Sequence, residues 1–518
     1  MPEIRLTVLD ADHQKREMSC EPGQTLAQGL FLSGYWKTPV LCSGVGLCGR
    51  CRLRFLSPAP APDSADEALF SVEELHDGWR LGCRHQVREG QEVFLPCHAA
   101  ASAAPQELTP DAKAVRLAVD FGTSSVSWQA LDGERSVAQG TDPNPQLGAG
   151  SDVMSRLAYA ADPDHARQLQ KLAVSYLQQV VAGLGAPVEE IAVAANPAMT
   201  LILLGKESAG LRAAPYRLSY RGGQVEILEA LPPVYVLPQL APFVGGDLSA
   251  GLLELLERNT RPQFPFLLSD MGTNGEFVLA VSPERFLVTS VPLGPALEGA
   301  GLSCGNAAGP GAVVHFEVQP AGLVAQCLGG GMPSRKAGMT GTGYISLLAL
   351  LRQLGVLAED GRFEQGNTPL AKRVSRSLGT QYGEPCLHLP GGLVLLARDV
   401  EEILKIKAAF HVALDALCEA AGIRLTDLAA VYLAGALGEN VSCLALEQLG
   451  FLPEGSGRLV QSVGNTSLAG AARVLYDKTA REKVESFSKK TQEIVLAGDR
   501  DFSTRFMARM RFSQSEAV

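Results

Sequence analysis

The sequence predicts two modules of different class: a small α+β domain with a sheet wrapped on one helix, then an α/β domain of two duplicated lobes. Three observations predict it. Four cysteines, Cys42, Cys48, Cys51 and Cys83, gather in one glycine-rich region. The tetrad Asp-x-Gly-Thr occurs at 120–123 and again at 270–273, each time where one apolar run gives way to another. Between these parts lies HAAASAAPQELTPDAKA, rich in Ala and Pro and nearly free of large apolar residues.

In chain order, residues 1–97 form the first module. EIRLTVLD and KREMSC alternate as paired strands around a polar turn, PGQTLAQGLFLSGY reads as a short helix, and CRLRFL, WRLGCRHQV and QEVFLP complete a small sheet. Residues 98–114 are a linker that, extended, reaches about 50 Å at ~3.1 Å per residue. Lobe I is expected over 115–260, opening with strand, turn, strand in AVRLAVDFGTSSVSWQALD. Lobe II is expected over 261–476, where FPFLLSDMGTNGEFVLAV repeats that design. Helical patterns such as ARQLQKLAVSYLQQVVAGL and ARDVEEILKIKAAFHVALDALCEAAG supply the α layers. Residues 477–518 read as a surface helix and a terminal docking segment.

With 518 residues, 46% of them hydrophobic and 19% charged, the chain has ample apolar material for several cores. A net charge of −10 disfavours general binding to nucleic acid or to anionic membranes. The start, MPEIRLTVLDADHQKREM, is a charged alternating strand rather than a secretory signal. The nearest approach to a membrane span, AVAANPAMTLILLG, is short and broken by Pro197. A cytoplasmic location is expected, where eleven cysteines are poor support for disulfides. Cys20, Cys97, Cys304, Cys327, Cys386, Cys418 and Cys443 are scattered singly and read as small buried hydrophobes.

The clustered cysteines have the pattern C-x5-C-x2-C, with the fourth following after 31 intervening residues. Iron–sulfur clusters need thiolates converging from one loop and one distant anchor, as in [2Fe-2S] ferredoxins. Gly44, Gly46 and Gly49 permit the positive φ angles and close backbone approach of such a loop. A zinc site is the alternative, although it would not need the glycine-rich gap. A Rieske centre needs paired cysteine–histidine boxes, and only Cys83-Arg84-His85 offers one.

Each Asp-x-Gly-Thr turn presents backbone N–H groups and hydroxyls able to hold phosphate oxygens. Its aspartate can hold the hydration shell of Mg2+ or orient an attacking water. A third element, LAAVYLAGALGEN, is a buried strand ending at Gly435–Gly438, where a purine and ribose could approach bare backbone. GGGMPSRKAGMTGTG fits neither a P-loop nor a dinucleotide fingerprint and reads as a loop and helix start.

Residues 1–97 resemble a β-grasp [2Fe-2S] ferredoxin over almost their whole length, WRLGC at the last ligand included. The five-residue first gap is that of adrenodoxin-like ferredoxins. The remainder looks like the actin/sugar kinase/Hsp70 superfamily, two RNase H-like lobes with ATP clamped between them. By that resemblance Asp120, Gly122, Thr123 and Ser124 match the first phosphate motif, Asp270, Gly272, Thr273 and Asn274 the second, and Gly435 to Gly438 the adenosine motif. More narrowly, residues 115–512 resemble the ATPase portion of the reductive activators of corrinoid proteins. The stretches that carry this are NPQLGAGSDVMSRLAYA, PLGPALEGAGLSCG, GMTGTGYISLLALL, VGNTSLAGAA and QEIVLAGDRDFSTRFMARMRF. The resemblance implies ATP-driven electron transfer from the cluster to a partner's Co(II) corrinoid, restoring Co(I), in a homodimer supplied by an unidentified electron donor. The linker would let the ferredoxin visit both donor and corrinoid. Two alternatives stay open: an activator like those of 2-hydroxyacyl-CoA dehydratases, and a metabolite kinase with a regulatory cluster.

Overall fold

Strand β1 (Ile4–Leu9) buries Leu6 and Val8 and leaves the residues that alternate with them partly exposed, the period-two signature of a sheet with one covered face. It pairs antiparallel with β2 (Lys15–Cys20) and parallel with β5 (Gln91–Phe94). Strands β3 (Arg52–Phe55) and β4 (Trp79–Leu81) complete a five-stranded sheet of order β2-β1-β5-β3-β4. In this computed structural model the described residues are 3–11, 13–33, 44, 46, 49–96, 114–258, 260–299, 301–306, 308–334, 337–435, 441–453, 455–496 and 501–512. The expected linker lies almost wholly outside them.

The helix crossing this sheet, Leu26–Leu32, starts where Thr25 and Gln28 form a reciprocal capping box, Gln28 N to Thr25 Oγ1 at 3.2 Å and Thr25 N to Gln28 Oε1 at 3.0 Å. Leu26 and Leu30 join Leu6, Val8, Leu53, Phe55, Leu81 and Val93 in one core. Two short helices, Ser64–Leu69 and Val72–His76, are additions to the sequence expectation, each begun by its own capping box at Asp63 and Ser71.

The second sheet contains β6 (Val115–Phe121), β7 (Ser125–Asp132), β8 (Arg135–Pro143), β9 (Val188–Ala194), β10 (Gln224–Glu226) and β11 (Val234–Val236). Its order is β10-β11-β9-β6-β7-β8. Leu117, Ala118, Val119 and Phe121 of the central β6 are fully buried, as expected of a strand covered on both faces. Helix Pro163–Gly183, with Asp162 as N-cap and proline in its first turn, makes the crossover from β8 to β9.

The third sheet repeats the plan with β12 (Phe266–Met271), β13 (Asn274–Ser282), β14 (Arg285–Pro292), β20 (Ala430–Ala434) and β21 (Val460–Gly464). In both sheets the first three strands form an antiparallel meander, the fourth (β9, β20) runs parallel beside the first, and a further parallel strand (β11, β21) lies outside it; β10 adds antiparallel at the edge of the second sheet. Between β14 and β20 come the hairpin β15 (Val313–Gln319) and β16 (Gly322–Cys327), and the small sheet β17 (Leu378–Gln381), β18 (Glu384–His388) and β19 (Val394–Leu396). The expected helix at 397–421 is present and largely buried. The glycine-rich stretch is a loop that leads into helix Gly341–Leu354, capped by Thr340.

After helix Lys478–Lys490, β22 (Thr491–Glu493) adds parallel to β14 as an edge strand. Helix Phe502–Arg509 then packs on helix Ala397–Ala421, where buried Lys407 donates to the Arg511 carbonyl at 2.7 Å and so closes its C-terminus.

By packing, residues 1–237 with 471–481 make one compact unit and residues 238–470 with 482–518 a second. The returning segment is fixed to the first unit by Arg481, bound to Glu190 at 3.0 Å and lying over the Tyr235 ring, and by Arg116 donating to the Leu475 carbonyl at 2.7 Å. The ferredoxin-like module belongs to that same unit and touches it beyond the linker: its helix Leu26–Leu32 rests on the turn Leu147–Ala149. A helix apolar on more than one side needs cover on more than one side. Among the described residues, no helix is long and apolar enough to cross a membrane.

Candidate functional site

Two of the four clustered cysteines, Cys51 and Cys83, lie in the described residues; Cys42 and Cys48 lie outside them, as does Cys97. Cys51 precedes β3 and Cys83 follows β4, so the antiparallel pairing of these strands brings the thiols to one end of the sheet. Cys83 N donates to Cys51 Sγ at 3.4 Å, and both residues are buried. Donors aimed at ligand sulfurs are among the features that set a cluster's potential. Gly44, Gly46 and Gly49 have φ of +87°, +89° and +65°, the left-handed region where glycine alone is unstrained. A Cβ at Gly46 would stand 2.7 Å from Ala65 Cβ. Arg84 ties the loop down, donating to the Gly44 carbonyl at 3.2 Å and to Asp63 Oδ2 at 2.7 Å.

Behind this corner, Asp66 is fully buried. Burial pushes its carboxyl up, but the His85 ring and the N–H groups of Leu81 and Asp63 outweigh that and hold it below the usual range. Its oxygens lie 2.7 Å from His85 Nε2 and 2.8 Å from Leu81 N. The corner therefore has thiols, loop glycines and a rigid backing that fit a cluster held against the sheet. Of the scattered cysteines, Cys20, Cys304, Cys386 and Cys418 are buried, whereas Cys327 and Cys443 are half-buried.

The first Asp-x-Gly-Thr turn closes the β6–β7 hairpin. Gly122 is required sterically, since a Cβ there would stand 2.8 Å from the Ser125 carbonyl oxygen. Asn144 donates from Nδ2 to Gly122 O at 2.7 Å and from its backbone N to Ser124 O at 3.0 Å, while Arg156 Nη2 donates to Thr123 O. Three successive carbonyls are thus taken up by Asn144 and Arg156. Because a trans peptide points its C=O and N–H in opposite directions, the N–H groups of Thr123, Ser124 and Ser125 each face away from the side chain or amide that holds the carbonyl of the same peptide. Thr123 Oγ1 accepts from Asn196 Nδ2 at 3.0 Å. The result is a row of donors suited to phosphate oxygens.

The second turn, closing β12–β13, has the same outline with a different lining. Thr273 Oγ1 donates to Glu298 Oε1 at 2.7 Å, and Thr273 O accepts from Gly294 N at 2.9 Å. Asp270 pairs with Ala434 across the parallel β12–β20 ladder, which sets its carboxylate beside Gly435. Gly435 has φ +78°. Asp270 and Gly435 are thus brought together in the second unit; the Asp120 turn belongs to the first, and Gly438 lies outside the described residues. Sequence reasoning missed Asn144, Arg156, Asn196 and Glu298. Asn144 and Arg156 stand in NPQLGAGSDVMSRLAYA, and Glu298 in PLGPALEGAGLSCG, so the signal was a polar residue within a segment already singled out.

A cysteine corner on a ferredoxin-type sheet, joined to duplicated lobes that each carry an Asp-x-Gly-Thr hairpin, defines the class: a ferredoxin fused to a protein of the actin/sugar kinase/Hsp70 fold. Comparison with known proteins narrows it. Residues 9–88 match the 2Fe-2S iron-sulfur cluster binding domain, 115–256 the RACo middle region, and 265–518 the C-terminal domain of RACo, its ASKHA domain. The chain belongs to the RACo family. It is 26% identical over 428 residues to the corrinoid activation enzyme RamQ of Eubacterium limosum, covering 78% of this chain and 71% of that one. It is 28% identical over 300 residues to the Co(II) methylated amine-specific corrinoid protein reductase of Methanosarcina barkeri, covering 54% of this chain and about half (51%) of that relative. The solved structure of a reductive activator for corrinoid, iron-sulfur protein has the same fold, with a TM-score of 0.67 at 20% identity over 98% of both chains.

Proposed function

We propose that this chain is an ATP-dependent reductive activator of a corrinoid protein, passing one electron from a [2Fe-2S] cluster to a Co(II) corrinoid so that Co(I) is restored for methyl transfer. The observation that carries the reading is a cysteine corner and duplicated phosphate turns in one RACo-family chain, whose relatives are named a corrinoid activation enzyme and a Co(II) corrinoid protein reductase.

Cys42, Cys48, Cys51 and Cys83 hold the cluster in this reading, which supplies a one-electron carrier near −400 mV if it is of plant type. Co(I) is the stronger reductant, and every 59 mV uphill costs a factor of ten in a one-electron equilibrium. ATP offsets that cost. The amides and hydroxyls at Gly122, Thr123 and Ser124, and at Gly272, Thr273 and Asn274, take phosphate oxygens. Asp120 and Asp270 hold waters of Mg2+ or orient the attacking water, and Gly435 and Gly438 admit base and ribose against bare backbone. The corrinoid protein, an electron donor and a second copy of this chain are the partners, and the setting is the cytoplasm.

The test is an anaerobic absorbance assay. Reduced protein with ATP and Mg2+ converts a bound partner's Co(II) to Co(I), and neither reductant nor ATP suffices alone. Equal Co(I) yield with and without ATP removes the coupling. A phosphorylated small molecule without corrinoid reduction would favour the kinase alternative.

A further inference from the structure

Phe31 and Leu32 are only 4% and 5% exposed, yet neither belongs to the core of the ferredoxin module. The ferredoxin helix instead presses Phe31 onto Gly148, so closely that a Cβ on Gly148 would stand 2.8 Å from Phe31 Cβ. Beside this contact His165 Nε2 lies 3.1 Å from Glu21 Oε2 and stacks on Tyr159 with ring centres 4.1 Å apart.

The seat is built from the segment that holds the first phosphate turn. Asn144 takes the Gly122 and Ser124 carbonyls, and its own carbonyl accepts Leu147 N at 3.1 Å, starting the turn that carries Gly148. Arg156, fully buried, spans the same two elements by donating to Thr123 O and, at 2.9 Å, to Gly150 O. Ferredoxin seat and phosphate turn are two sides of one short, hydrogen-bonded segment.

We infer that nucleotide at the Gly122–Ser124 turn and the ferredoxin on its Gly148 seat stabilise each other, so that the nucleotide state sets whether the electron-carrying module stays on the lobe or is released. This rests on the reading of the chain as an ATP-dependent activator. The sign follows from the geometry. Carbonyls held back by Asn144 and Arg156 present the opposite N–H groups to phosphate, and a seated Phe31 fixes the turn from which Asn144 reaches. Coupling of this kind is reciprocal: whatever nucleotide does for docking, docking does for nucleotide affinity.

The experiment uses the full chain with its cluster intact by visible absorbance, and measures ATP-analogue affinity together with amide exchange over Leu26–Ser33 and Leu147–Gly150. Phe31→Asp is expected to raise exchange in both segments and to weaken nucleotide binding at least about fivefold. Gly148→Leu, which obstructs the seat from the lobe side and leaves the ferredoxin untouched, gives the same two effects. In Asn144→Ala, which severs the relay, Phe31→Asp has no further effect on affinity. If either seat variant raises exchange and leaves affinity unchanged, the coupling is overturned while the activator reading stands. If exchange does not change in either, the docked contact itself is overturned. If the wild-type chain binds no nucleotide, the activator reading fails and the inference with it.

Discussion

Gly435 and Asp270 touch so closely that a Cβ on the glycine would stand 2.6 Å from the carboxylate oxygen Oδ1. Gly435→Ala must therefore displace the carboxylate and hold alanine in the left-handed region, a strain of roughly 1–2 kcal/mol. ATP hydrolysis should fall by more than the small loss of thermal stability explains. Normal turnover in a folded Gly435→Ala protein would sink the placement of Asp270 at the nucleotide.

Asp120→Asn and Asp270→Asn keep the shape of each turn and remove its negative charge. Each is expected to lower ATP turnover by about 100-fold or more, the scale of losing a positioned acid–base or metal-ordering group. The cluster should remain reducible in both. Steady-state phosphate release beside dithionite bleaching of the visible bands separates the two outcomes.

Removing one thiolate leaves one iron under-ligated. Cys42→Ser, Cys48→Ser, Cys51→Ser and Cys83→Ser should each damage the cluster, and Cys97→Ser should keep it. Iron and sulfide analysis of anaerobically prepared protein reads this directly. Stoichiometric zinc and a colourless wild-type protein would establish the zinc alternative.

His411 carries a pH prediction for the second unit. Burial, with Lys407 and Arg509 adding positive charge nearby, pushes its imidazole down to about 3, although the Gly450 carbonyl favours its N–H form. The unfolded chain takes up this proton near 6.5, so between about 6.5 and 3 it binds more protons than the folded one. Stability is then lost as pH falls through that window, by as much as about 1.4 kcal/mol per unit. The melting temperature of the wild type should drop more steeply from pH 7 to pH 5 than that of His411→Gln. Equal slopes would rule out His411 as a source of acid sensitivity.

Much of the architecture was legible because its signals are local. Thr25 and Gln28 mark a helix start by chemistry alone, and the apolar run LAV of β6 announces a central strand. The repeated Asp-x-Gly-Thr located both hairpins whose turns the structure describes. Other features depend on contacts far apart in sequence. Asn144 meets Gly122 only because β8 ends beside the β6–β7 turn, and Glu298 reaches Thr273 from a segment beyond β14. Thr491–Glu493 is too short to declare itself a strand and becomes one by lying against β14. Phe31 was half legible: the excess of apolar residues in LFL called for cover, but nothing local named Gly148 as the cover.

The return of residues 471–481 to the first unit bears on how the chain is made. On the ribosome, residues 1–237 emerge well before the segment that carries Leu475 and Arg481. At ordinary synthesis rates the interval is roughly ten to fifty seconds. During it Glu190 and the Tyr235 ring wait without Arg481, and β14 waits without β22. Neither unit is finished until residues 471–493 are read, so a nascent chain stalled before residue 471 holds two incomplete units rather than one finished and one missing.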